Sequence, residues 1–66
     1  MSEFLLLHDN ESEGKLAAVR KSIISSVLPS EDYSEGSAIF TKLDDGESMI
    51  LEAKESVEKI YNMLNN

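Results

Sequence analysis

With 66 residues, no cysteine and a net charge of −7, the chain has room for one domain with a small core, expected over residues 1–66, and cannot form a disulfide framework or a thiolate metal site. Thirteen acidic side chains against six basic ones do not make the clustered Lys and Arg surface that phosphates require, so direct nucleic-acid binding is not expected. No apolar run approaches the roughly 20 residues of a membrane span, and the first apolar run follows an acid instead of a basic leader, so a cytoplasmic protein away from membranes is expected.

In chain order, Phe4-Leu5-Leu6-Leu7 is a continuous apolar run followed by polar turn residues, which predicts a short buried strand. His8 closes it as a strand-end histidine. A proton-transfer role for His8 would need an orienting partner and a nucleophile, and the sequence names neither. Asp9-Asn10-Glu11-Ser12-Glu13-Gly14 is a loop of acidic, small and turn-forming residues. Its alternating acids do not complete the twelve-residue ligand pattern of a calcium loop, so no metal is expected there.

Residues 15–28 fit two readings. Leu16, Val19, Ile23 and Val27 recur at helical spacing, and Pro29 would stop a helix just past Leu28. The same stretch also suits strands. Its serines and β-branched residues are weak helix formers and acceptable in strands. Pro29 to Gly36 is a polar loop in which Tyr33 stands alone, either covering the edge of the core or anchoring a partner.

The last third has the clearest pattern. Ser37–Leu43 and Glu47–Ala53 are rich in strand formers and flank Asp44-Asp45-Gly46. An Asp-Gly pair between two such runs predicts a hairpin, because Gly accepts the positive φ of a tight turn. The period then changes: Val57, Ile60, Tyr61 and Leu64 fall at i, i+3, i+4 and i+7, the stripe of an amphipathic helix. Ser56 is placed to cap it, with Glu58 near the positive end of its dipole. So short a helix is unstable alone and must dock on the hairpin.

Strand, Asp-Gly turn, strand and then Lys54-Glu55-Ser56-Val57-Glu58-Lys59-Ile60 resembles the end of the small flagellar and swarming-motility (FlbD-like) proteins and of related short bacterial or phage proteins. The resemblance covers the second half of the chain and is loose over residues 4–27. For residues 15–28 it implies not a helix but two strands, Leu16–Val19 and Ile23–Val27, around a polar bend at Arg20-Lys21-Ser22. It carries no catalytic residue. The fold expected is therefore α+β: a small antiparallel sheet of four or five short strands with a C-terminal amphipathic helix.

Catalysis is not expected, since the three glycines are scattered and form no phosphate loop, and a pocket of a few hundred Å³ is hard to wall in so short a chain. No cofactor is expected either. Strands apolar on both sides, Phe4–Leu7, Ile39-Phe40 and Met49-Ile50-Leu51, leave one sheet face for something other than the helix to cover. The expected function is a non-catalytic, self-associating protein-interaction module, scaffolding or regulatory, with Phe40, Met49, Leu51 and Tyr33 as candidate interface residues and a homo-oligomer as the expected state. The acidity suggests an alternative, a small inhibitor of mobile-element or phage type that blocks a basic surface of a host protein. A small-ligand binder with its pocket at a subunit interface is a further alternative.

Overall fold

The computed structural model describes residues 3–65. Five strands follow in chain order, β1 (Phe4–Asp9), β2 (Lys15–Arg20), β3 (Ile24–Pro29), β4 (Ser37–Lys42) and β5 (Ser48–Ala53), before the helix α1 (Val57–Leu64). All pairings are antiparallel, in the order β2-β1-β5-β4-β3. The architecture is the expected α+β one, and residues 15–28 are two strands. The β-branched and serine content of this stretch outweighs its helical spacing, because each strand has a neighbour to pair with. Pro29 ends β3 and does not cap a helix; it lies opposite Ser37 on an edge strand, where its missing N–H costs no ladder bond.

The ladders are uneven. β1 and β2 pair over six residues, β4 and β5 over six, whereas β1 meets β5 only at Asp9 opposite Ala53. The sheet is therefore a two-stranded arm joined at one corner to a three-stranded platform. The reach of the chain fixes how they sit. β2 and β3 are the two edges and run in the same direction, yet one 3-10 turn, Lys21–Ile23, connects them. Four residues reach about 14 Å, less than the roughly 19 Å of four strand spacings in a flat sheet. The arm must fold over the platform, turning the two inner faces toward each other.

The core lies between them. Leu5 and Leu7 of the arm, Ile39 and Ala53 of the platform and Ile60 of α1 are buried in one cluster, with Ala17, Val19, Ile24, Val27, Leu51, Met63 and Leu64 packed around it. The helix is capped as expected: the Ser56 hydroxyl accepts from the Lys59 N–H at 3.2 Å, and Glu58 occupies the first turn. Its buried stripe differs by one residue from the expected one. Tyr61 is exposed and Met63 packs in its place, because the core touches the helix on the side of Ile60 and the partly buried Val57.

The β4–β5 hairpin has a three-residue loop. Gly46 N–H donates to Leu43 O at 2.9 Å, and Leu43 N–H donates to Glu47 O at 2.7 Å. Gly46 alone in this turn has positive φ, +91°, and its missing Cβ would meet open space. Gly36 is under a harder constraint. Its φ is +104°, and a Cβ there would stand 2.1 Å from Ala53 O, so backbone would have to move. Chemical denaturation is expected to show Gly36→Ala losing about 3 kcal/mol or more, and Gly46→Ala about 1 kcal/mol from φ strain alone. Equal losses would show that the close approach at Gly36 is not tight. Ile60→Ala is expected to cost about 2–5 kcal/mol.

Candidate functional site

The outer face of the platform is built by strand alternation. On β4, Ser37, Ile39 and Thr41 face inward and are buried, which turns Ala38, Phe40 and Lys42 outward. Register places Leu28 beside Ala38, Ser26 and Ile50 beside Phe40, and Glu52 beside Ala38. Leu28, Ala38, Phe40 and Ile50 thus form one apolar floor. It lies in an open cleft of about 490 Å³, walled by Pro29, Ser30, Glu31, Asp32 and Glu52. Leu28 is 51% and Ile50 56% exposed, on the two strands that flank β4.

The cleft is acidic at one end. Glu31 and Asp32 are exposed, while Glu52 is buried and accepts from the Ser30 hydroxyl at 2.8 Å. Tyr33 stands beside this end; partial burial, and then the carboxylates of Glu11, Glu52, Asp32 and Asp9, push its phenol above its ordinary value, so it stays protonated. Lys42, exposed, marks the opposite end of β4.

The four candidate interface residues do not share this surface. Phe40 is in its floor. Leu51 is partly buried against the core beneath the same sheet. Met49 shares the face of Leu51 but is 62% exposed near the hairpin loop, opposite Thr41, whose hydroxyl donates to Met49 O. Tyr33 lines a separate small pocket with Asn10, Ser34, Glu35 and Lys54. Leu28 and Ile50, which sequence reasoning did not select, complete the floor. Their alternation with Val27 and Leu51 carried the signal, but only once the inner face was known. A second apolar surface lies on the arm, where Phe4, Leu6 and Leu16 are exposed and the Arg20 guanidinium stacks 4.9 Å over the Phe4 ring.

His8 has the orienting partner that the sequence could not name. Its Nδ1 lies 2.7 Å from Glu55 Oε2, and its backbone N–H donates to Glu55 Oε1 at 2.9 Å. Burial works to raise the Glu55 carboxyl, but the His8 backbone N–H, the His8 ring and its own backbone N–H overcome it and hold it below the ordinary 4.5. The ionised carboxylate can only accept, so Nδ1 carries the hydrogen. Among the described residues no hydroxyl hydrogen-bonds to the ring, and no group of three or more His, Cys, Asp or Glu could hold a metal ion. The pair acts as a latch. No helix among the described residues is long and apolar enough to cross a membrane.

Glu55→Gln keeps the size and removes the charge that the His8 donors reward, and is expected to cost about 1.5–3 kcal/mol at neutral pH. The folded value lies below 4.5, so the contribution is full above that pH and is lost as pH falls through the folded value. The melting temperature of the variant should therefore fall less steeply in acid than that of the parent. Parallel curves below pH 4.5 would refute the latch.

No protein-family model matches the chain, and neither the curated proteins nor the solved structures contain a significant match to it.

Proposed function

We propose that the protein is a non-catalytic interaction module that self-associates through the outer face of the platform, as a scaffold or regulator. The observation that supports this reading is the apolar floor of Leu28, Ala38, Phe40 and Ile50, whose two large side chains on the flanking strands, Leu28 and Ile50, are more than half exposed. Water disfavours such a surface, and a partner that covers it gains the burial energy. The sheet edges are poor alternatives. β3 carries an irregularity between Ile24 and Ser26 and ends in Pro29. β2 begins in Lys15 and ends in Arg20, so antiparallel pairing of two β2 edges would oppose like charges. A face is thus a better contact than an edge.

The acidic end of the cleft favours a second reading, in which the same floor takes an apolar segment flanked by basic residues on another protein, as an inhibitor of a basic surface would. A cytoplasmic setting and a bacterial or phage origin near the flagellar and swarming-motility proteins belong to the same proposal. Genome neighbourhood is the observation that bears on it.

Light scattering at micromolar concentration is expected to give a mass above the 7.3 kDa of one chain. Ile50→Glu and Leu28→Glu should each return the mass to 7.3 kDa with the unfolding transition retained, weakening association by about 2 kcal/mol or more. A monomeric parent at that concentration would defeat the self-associating reading.

A further inference from the structure

We infer that the occupant of the cleft is a second copy of this chain laid antiparallel across it, with Phe40 near the two-fold axis and Lys42 of each copy over the acidic end of the other. The inference rests on the self-associating reading and adds to it a register and the residue that sets it.

Charge is unevenly distributed along β4. The outward side chains of β4 run Ala38, Phe40, Lys42. Glu52 is the ladder partner of Ala38, and Glu31 and Asp32 wall the cleft at that end. The face therefore has a cation at one end, carboxylates at the other and an apolar centre. Two copies can meet face to face about a two-fold axis lying along β4 or across it. An axis along β4 sets Lys42 over Lys42 and carboxylates over carboxylates. An axis across β4 reverses one strand over the other, so Lys42 meets Glu31, Asp32 and Glu52 twice, once from each copy. For a chain carrying −7, like charges brought together in a partly desolvated contact oppose association strongly. The second arrangement is the one in which the face complements itself. Asp44, Asp45 and Glu47 in the loop beyond Lys42 lower the gain without reversing the choice, since the first arrangement gathers these acids together too.

The register also predicts a geometry. Ser26, Phe40 and Ile50 are ladder neighbours in one row across the platform, so an axis across β4 through Phe40 runs along that row. Each of these residues then lies opposite its own counterpart. With the axis along β4, Ser26 would instead face Ile50 of the other copy. Ser26 is exposed and small, and the chain has no cysteine, so a single introduced thiol reports on its own position.

The test combines charge reversal with cross-linking on the full chain. Lys42→Glu alone, and Glu31→Lys with Asp32→Lys, should each weaken self-association about ten-fold or more. An equimolar mixture of the two should recover the affinity of the parent, because every reversed contact then meets its reversed counterpart. Circular dichroism on each variant confirms that these exposed changes leave the fold intact. Ser26→Cys treated with a short bis-maleimide should yield covalent dimers at dilutions where Lys42→Glu combined with Ser26→Cys yields few. A parent that dimerises while the charge variants match it, while the mixture gives no recovery, or while Ser26→Cys fails to cross-link, overturns the register and leaves the self-associating reading standing. A parent that stays monomeric overturns both.

Discussion

The carboxylate of Glu55 occupies the place where β5 would have continued the ladder with β1. Past Asp9 and Ala53 the two strands diverge, and the His8 N–H would be left without a partner inside the fold. Glu55 accepts that N–H with one oxygen and bonds the His8 ring with the other. Lys54 N–H returns a bond to His8 O at 2.8 Å. On the other side, the fully buried Ser37 hydroxyl donates to Glu55 O at 2.9 Å, and Gly36 lets the chain pass close to Ala53 O. Arm, platform and helix start are thereby joined at one corner. The side chain replaces one missing ladder bond and adds a bond to the His8 ring, and being charged it makes a stronger bond than the amide bond it replaces.

The core follows from that corner. Leu5 and Leu7 reach Ile39, Ala53 and Ile60 only if the arm is folded over the platform, and the corner and the short link between β2 and β3 are the two restraints that fold it. In a flat sheet these five strands would leave α1 to cover a surface several times its own width. The fold instead uses sheet against sheet, and α1 fills what remains. The cost appears on the outside, where both outer faces keep large apolar side chains in water.

The acidity of the chain means more once it is located. Averaged over 66 residues, −7 reads as solubility. On the platform it becomes polarity along one strand, with carboxylates gathered where Pro29 to Asp32 turn over the edge and a lysine left at the other end. Net charge alone would have every pair of copies repel. The arrangement of charge selects how two copies could meet.

The elements themselves were legible because they depend on near neighbours in the sequence. The hairpin at Gly46, the cap at Ser56 and the helix stripe through Val57, Ile60 and Leu64 are local patterns, and the structure keeps them with Met63 in place of Tyr61. Residues 15–28 were legible in part, since strand and helix periods both fit and pairing with β1 and β4 decided between them. Of the site, only Phe40 was legible. Apolar residues on both sides of a strand announce that two faces will be buried or used, but not which residue lies on which. That choice was made by the packing of Leu7 against Ile39, residues far apart in the chain, which sent Leu51 to the core and Phe40, Leu28 and Ile50 to the surface. Gly36 read only as the end of a polar loop and Glu55 only as part of the segment before the helix, because what distinguishes each is a contact with a strand that only the folded chain brings near, Ala53 O for one and His8 for the other.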